Sequence, residues 1–202
     1  MFVDKTINKF IEELKSAAPT PGGGGVSALN SAQGIALIMM VANLTVSREK
    51  YSEWHELCNS VLTEAQGLLD VCMQGIDNDA EEFRKVIAAY GLPQDTEEDK
   101  LIRSKAISEA SISAAREPLR IMEASVRALE LNIAILGKSN PTVQSDLYVA
   151  ARSLQAGLLS AKYSVDANLA CIDKMNHELA EEFRTQAGSY IDKCNALIGE
   201  VF

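Results

Sequence analysis

Four consecutive glycines stand between two prolines and the most apolar stretch of the chain. Residues 19–25 read PTPGGGG, and no charged residue follows until Arg48. A glycine-rich loop that opens a helix offers free backbone N–H groups and the positive end of the helix dipole, which favour an anion or a developing oxyanion. The spacing matches no P-loop, because no Gly-Lys-Ser or Gly-Lys-Thr follows. The segment therefore predicts either close backbone approach to a ligand or a flexible connector.

An acidic segment lies within a largely apolar helical pattern further along the chain. Asp77 and Asp79 precede Phe83 in the sequence IDNDAEEF. A carboxylate near a core-facing phenylalanine has a raised pKa, and it can then serve as a general acid or base. The density of acids here equally suits a solvated acidic face. Both interpretations stay open from these residues alone.

A third candidate lies in the sequence SNPTVQSDLYVAA. Asp146 falls just inside a predicted helix, and an acid in a first helical turn interacts favourably with the helix dipole without any catalytic role. Asn140 followed by Pro141 is typical of an N-cap with proline at the first helical position. The pattern therefore allows a structural explanation beside a functional one.

The charge balance of the chain restricts its partners. The 202 residues carry a net charge of −9, which disfavours binding to double-stranded nucleic acid. Against this acidic background, Lys50, Arg103 and Lys105 are either ordinary surface cations or partners for an anionic ligand.

The cysteines and histidines form no metal-binding motif. No cysteine pair has CxxC spacing, and the histidines form no HExxH pattern; these residues are Cys58, Cys72, Cys171, Cys194, His55 and His177. The N-terminus lacks the basic and apolar regions of a signal peptide. We therefore expect reduced thiols, a cytoplasmic location and no metal ion.

Apolar residues recur at helical spacing through nearly the whole chain, and no segment alternates with period two. Helices are predicted over 4–17, from the glycines to about 46, over 52–90, over 96–136 with a kink at Pro118, and over 141–202. The last is either continuous or broken near Asn176. The pattern predicts a single all-α domain, residues 1–202, of long up-and-down helices.

The uncharged stretch 26–46 has the length of a membrane span. It contains polar residues, including Asn30, Gln33 and Asn43, and it lacks a basic flank on one side only. We therefore expect a buried central helix and no membrane contact. Small residues recur here and over 150–161, so that helix axes can approach closely. Their number suggests an outer face that also packs, and hence a homodimer.

The order of several segments resembles the cyclodeaminase/cyclohydrolase family. These segments are PTPGGGGVSAL, MVANLTVSREKY, DNDAEEF, YGLPQDTEEDKLIRSKAISEA, AAREPL and SNPTVQSDLYVAA. The resemblance covers the chain from Asp4 to about Lys174. It implies an all-helical, dimeric fold and one-carbon folate chemistry that requires no metal and no cofactor beyond the tetrahydrofolate substrate.

The resemblance implies one of two reactions. A cyclohydrolase adds water to the cationic amidine carbon of 5,10-methenyltetrahydrofolate and opens the ring to 10-formyltetrahydrofolate. A cyclodeaminase closes 5-formiminotetrahydrofolate to the methenyl form and expels ammonia. We expect the cyclohydrolase first, the cyclodeaminase as the alternative, and a non-catalytic folate-binding dimer as a further alternative.

The resemblance also assigns roles to residues. Asp79 is expected to be the general base or the carboxylate that faces the cationic amidine, and Asp146 is expected to support it. The expected substrate-binding residues are Gly22, Gly23, Gly24, Lys50, Arg103, Lys105 and Asn140. This chain departs from the family pattern at Gly25, where serine is common, and at Gln33, where an apolar residue is usual.

Overall fold

The structure, a computed structural model, describes residues 1–202 and contains no β-strand. Its six α-helices are α1 (Ile7–Leu14), α2 (Gly23–Val46), α3 (His55–Tyr90), α4 (Glu97–Ile135), α5 (Gln144–Asp173) and α6 (His177–Val201). Two short 3-10 helices, Glu49–Trp54 and Pro141–Val143, precede α3 and α5. The predicted all-α architecture of long helices is confirmed.

The helix ends follow local capping. The side chain of Thr6 accepts the N–H of Lys9, so α1 begins later than predicted, and it also ends earlier, at Leu14. The last apolar pattern is two helices rather than one, because Asn176 caps the start of α6. Pro118 does not end α4, which continues through it to Ile135.

Helix α2 lies at the centre of the bundle and contacts α3, α4 and α5, while α6 packs on α4 and α5. Short connections make successive helices run in alternating directions. By length and composition α2 is the one helix that could cross a membrane, and more than half of its most apolar window is buried inside the bundle. Fully buried side chains such as Ile35, Leu129 and Leu154 form the core. The predicted buried central helix is confirmed.

Small residues hold the helices close together inside the chain. A Cβ atom on Gly34 would stand 2.7 Å from Leu154 Cγ, and one on Gly157 would stand 2.1 Å from Ser31 Oγ. These contacts require glycine because a methyl group has no room there. Most of the small residues therefore serve packing within one chain, and the homodimer stays a prediction.

Candidate active site

The glycines form the first turn of α2 rather than a loop before it. Gly22 is the N-cap, and α2 begins at Gly23. Gly24 and Gly25 are buried, whereas Gly23 is exposed, with no atom within 4 Å of the place where its Cβ would be. This turn presents its outer backbone at a helix N-terminus, where N–H groups attract negative charge.

The group that comes closest to this turn is the carboxylate of Asp79 on α3. A Cβ atom on Gly24 would stand 1.8 Å from Asp79 Oδ1 and 2.3 Å from Asp79 Cγ. The Gly25 N–H donates a hydrogen bond of 3.1 Å to Asp79 Oδ2. The absence of a side chain at Gly24 therefore creates the space in which Asp79 sits.

The environment of Asp79 shifts its protonation. Burial raises the pKa of the Asp79 carboxyl above its ordinary value, the hydrogen bond from Gly25 opposes this rise, and the negative charge of Glu117 adds to it. The predicted cause, a neighbouring core-facing Phe83, is wrong, because Phe83 is exposed. The burial comes instead from the first turn of α2.

Polar side chains link α3 to α4 beside Asp79. Asn78 Nδ2 donates a hydrogen bond of 3.1 Å to Glu117 Oε2, and Arg120 donates to the other oxygen, Glu117 Oε1, at 3.3 Å. Sequence reasoning did not identify Asn78 or Glu117 as site residues. The signals available for them were the position of Asn78 beside Asp79 and the position of Glu117 within the segment AAREPL.

Asp77, the other acid of this segment, has a structural task. Its carboxylate accepts the backbone N–H groups of Phe2 and Val3 and holds the N-terminal residues against α3. A half-turn of helix separates its direction from that of Asp79. Asp79 is therefore the acid of this pair that faces the glycine turn.

An apolar cleft of about 410 Å³ lies between the N-terminal residues, α2 and α3. It is close to the glycine turn, because the carbonyl oxygen of Ile76, one of its lining residues, would stand 3.3 Å from a Cβ on Gly25. Other lining residues are Phe2, Phe10, Leu29, Gln33 and Met73. The cleft has the size and polarity to take a flat aromatic ring.

Asp146 lies far from Asp79 within the same chain. Its helix packs antiparallel to α2, with Ala150 opposite Gly34, so Asp146 lies one turn further toward the C-terminal end of α2. A rise of 1.5 Å per residue from Gly24 onward separates the two acids by about 20 Å. One subunit therefore does not bring the two predicted acids together.

Asn140 lies at the same end of the bundle as Asp146 and is buried. Its side-chain oxygen accepts bonds from Tyr51 at 3.0 Å and Thr142 at 2.8 Å, and its amide nitrogen donates to the Leu44 carbonyl. The N-cap prediction is confirmed. Its polar atoms bond within the single chain, so its predicted contact with the substrate stays a prediction.

The predicted cations lie at both ends of the bundle. Lys50 stands over the Tyr51 ring, 4.6 Å from its centre, near the Asp146 end. At the opposite end, Arg103 donates two hydrogen bonds to the Tyr90 carbonyl, and the exposed Lys105 lies 3.9 Å from Glu109. The structure therefore unites Asp79 with Gly24 and Gly25, and it separates this group from all three cations.

No group of histidine, cysteine, aspartate and glutamate side chains is arranged to hold a metal ion. The cysteines are unpaired, and Cys58, Cys72 and Cys194 are buried. Burial raises the pKa of the Cys72 thiol to about 12, so this thiol is not a nucleophile at neutral pH. Asp79 is thus the group in this region with the burial and the neighbours suited to proton transfer.

The protein is thus an all-helical bundle in which a half-buried carboxylate, suited to acid–base chemistry, lies against a glycine turn. Comparison with known proteins gives its family: residues 6–189 match the model of the formiminotransferase-cyclodeaminase family. The chain belongs to this family.

Individual relatives agree with this membership. The chain is 36% identical to a methenyltetrahydrofolate cyclohydrolase of Methylorubrum extorquens, over 98% of this chain and 95% of that protein. It is 30% identical to the formimidoyltransferase-cyclodeaminase of Sus scrofa, over 95% of this chain and 37% of that longer protein. The fold matches the crystal structure of formiminotetrahydrofolate cyclodeaminase from Thermotoga maritima, with a TM-score of 0.76, 22% identity and 98% of both chains covered.

Proposed function

We propose that this chain is a methenyltetrahydrofolate cyclohydrolase, which hydrolyses 5,10-methenyltetrahydrofolate to 10-formyltetrahydrofolate. The observation that carries the proposal is the position of Asp79: its half-buried carboxylate contacts the first turn of α2. The 36% identity with a cyclohydrolase along nearly the whole of both chains supports the choice of substrate.

The reaction needs a proton acceptor next to a single cationic carbon. Water attacks the methenyl carbon and forms a new C–O bond, while its proton passes to the Asp79 carboxylate. The adduct then collapses: one ring C–N bond breaks, the departing nitrogen takes a proton from Asp79, and the second proton of the water is released when the formyl group forms. General acid–base transfer of this kind contributes about 10²–10⁴-fold to the rate.

The environment of Asp79 suits this task. Its ionised form faces a cationic substrate, which favours binding through charge in a partly dry site. Burial raises its pKa toward the range in which the same group can both accept and return a proton. Helix α2 has no charged residue between Gly23 and Val46, so on that side Asp79 meets only backbone N–H groups, of which that of Gly25 donates to it.

The folate would lie along the glycine turn and the apolar cleft. The exposed backbone of Gly22 and Gly23 has room for a ligand to approach without a side chain in between. The cleft lined by Phe2, Leu29 and Met73 offers apolar contact to an aromatic ring of the substrate. The proposed reaction uses no metal ion and no cofactor beyond the tetrahydrofolate substrate.

The proposal includes a homodimer formed through the outer face of α2. This helix is uncharged on every side, yet Gln33, Ala36 and Met40 on its outer face are exposed in the single chain. A helix that is apolar all round is normally buried. A second copy of this chain, packed antiparallel on this face, would cover the exposed stripe.

Such a dimer would also complete the site. Along α2, Asp79 lies about 13 Å to one side of Gln33, and Asp146 lies about 7 Å to the other side. A two-fold axis near Gln33 would therefore bring Asp146 of the partner subunit alongside Asp79. In this arrangement the partner's Lys50 enters the same region as a cation for the anionic tail of the folate, with Arg103 and Lys105 further away.

The cyclodeaminase reaction is the second candidate, because the porcine relative at 30% identity is a formimidoyltransferase-cyclodeaminase. Its tetrahedral adduct also loses a nitrogen, which leaves as ammonia after taking a proton. The same seat of Asp79 can serve that step. The two candidates differ in substrate, so they are separated by assay rather than by geometry.

The deciding experiment follows the absorbance of 5,10-methenyltetrahydrofolate with purified protein. We expect loss faster than the buffer-catalysed rate, and a rate close to that of buffer for Asp79→Asn. A wild-type rate equal to that of buffer would overturn the cyclohydrolase assignment. Ammonia release from 5-formiminotetrahydrofolate would then establish the cyclodeaminase.

A further inference from the structure

A second carboxylate, that of Glu117 on α4, is held near Asp79 by the bonds that link α3 to α4. The side chain of Glu117 is only 18% exposed, although most glutamates on this helix are solvated. Its two oxygens are bound separately, one by Asn78 and the other by Arg120. Asn78 is the immediate neighbour of Asp79 in α3, so its amide fixes Glu117 against the segment that carries the proposed base.

Helix α2 contributes no charged group beside Asp79, and two other acids on α3 have bonds of their own. On α3, Asp77 accepts the backbone N–H groups at the N-terminus, and Glu82, one turn after Asp79, is bound by Lys85 at 2.6 Å. On α4, Glu117 is the group whose negative charge acts on Asp79, and it is itself bound by Arg120.

We propose that Glu117 is a positioning residue for the reaction: held by Asn78 and Arg120, it presents a second negative charge beside Asp79 and so adapts the site to a cationic one-carbon unit. The inference rests on the proposed function for its substrate, and on the contacts of α3 and α4 for its geometry. Glu117 does not touch the reacting carbon in this proposal and transfers no proton.

The physical reason is the repulsion between the carboxylates of Asp79 and Glu117 in a partly buried interface between α3 and α4. A like charge nearby disfavours ionisation of Asp79, and it raises the pKa of that carboxyl in addition to the effect of burial. A cation bound between the two relieves their repulsion, whereas the neutral 10-formyl product does not. The pair therefore favours entry of the methenyl cation and release of the product.

The test compares Glu117→Gln with Glu123→Gln. Glutamine at 117 keeps one oxygen that can accept from Asn78, so the α3–α4 contact is retained, and it removes the charge together with the bond from Arg120. Glu123 lies on the same helix, is exposed, and has no bond to α3, so its variant is the matched control. Two measurements are made: the carboxyl ¹³C titration of Asp79 without folate, and the pH dependence of kcat/KM with 5,10-methenyltetrahydrofolate.

We expect Glu117→Gln to move both the Asp79 titration and the acidic limb of the kcat/KM profile to lower pH, and to raise KM for the cationic substrate. Glu123→Gln should move neither. Arg120→Gln, which leaves the Glu117 charge unpaired, should move the titration in the opposite direction. An Asp79 titration that is the same in Glu117→Gln as in wild type overturns the inference.

The ligand-free titration keeps this test separate from the proposed function. If the Asp79 titration shifts in Glu117→Gln but wild type turns over neither folate substrate, the proposed function fails while the coupling of the two carboxylates stands. If wild type hydrolyses the substrate and Asp79 does not shift, the proposed function stands and the role of Glu117 is rejected.

Discussion

Asp79 occupies the space that the missing side chain of Gly24 leaves free: a Cβ on Gly24 would stand 1.8 Å from Asp79 Oδ1. The two residues are 55 positions apart in the chain, yet any side chain at position 24 would overlap the Asp79 carboxylate. A glycine that looks like a flexibility signal in the sequence is therefore a steric requirement of the carboxylate opposite it.

Gly24→Ala is expected to displace Asp79 and reduce kcat by about 100-fold, the scale of general acid–base catalysis. Stability should fall by about 1–3 kcal/mol, because the added methyl group overlaps a half-buried side chain. Turnover and urea unfolding measure these effects. The control is Gly67→Ala, on the exposed side of α3, where a Cβ meets nothing within 4 Å. Normal turnover in Gly24→Ala would show that the position of Asp79 is unimportant.

Asp79→Asn is expected to lower kcat by at least about 100-fold while the protein gains stability at neutral pH. Burial raises the folded-state pKa of Asp79 above its ordinary value of 3.8, so ionisation is harder in the folded than in the unfolded chain. This penalty is absent below the unfolded pKa, where both states are protonated, and it develops as pH rises through the folded pKa. Thermal unfolding at acidic and neutral pH checks the sign; equal effects of the substitution at both pH values would contradict it.

Gly23→Val is expected to weaken folate binding while the fold is kept. The place of its Cβ is open, so a side chain there meets no protein atom but stands between the first turn of α2 and an approaching ligand. Binding of the folate by Asp79→Asn/Gly23→Val, compared with Asp79→Asn alone, measures the effect without turnover. An unchanged affinity for the folate would show that the glycine segment is a connector and does not contact the ligand.

The two fully buried asparagines are expected to respond to leucine with opposite signs. Both polar atoms of Asn132 lack a partner, so Asn132→Leu should raise the free energy of unfolding by about 1 kcal/mol. Asn140 bonds to Tyr51, Thr142 and Leu44, so Asn140→Leu should lower it by about 2 kcal/mol or more. Urea unfolding of both variants decides; a loss of stability in Asn132→Leu would reveal a partner for that amide.

Mixing two inactive variants tests the proposed shared site. If Asp79 works with Asp146 of the partner subunit, a mixed dimer of Asp79→Asn and Asp146→Asn has one intact site and one doubly altered site. Random exchange then restores about a quarter of wild-type activity, because half of the dimers are mixed. Unmixed variants at the same concentration are the control. No recovery in mixtures shown to have exchanged subunits would place the site within one chain.

Much of the fold was determined by local sequence. Apolar residues at helical spacing, the proline–glycine break before α2 and the possible break near Asn176 are all short-range signals, and they predicted the helices to within a few residues. The order of the motifs indicated the family, and Asp79 was selected among the acids because of that order.

Only the tertiary structure decided what these residues do to one another. It showed that Gly24 makes room for Asp79, that the polar atoms of Asn140 are committed within the chain, and that Glu117 joins the site from α4. It also placed Asp146 about 20 Å from Asp79 within one chain. The physical reason is that periodicity and capping depend on neighbours within one or two turns. A carboxylate's burial and charge environment depend instead on which helices pack together and in which register, and that is set by side chains many tens of residues apart.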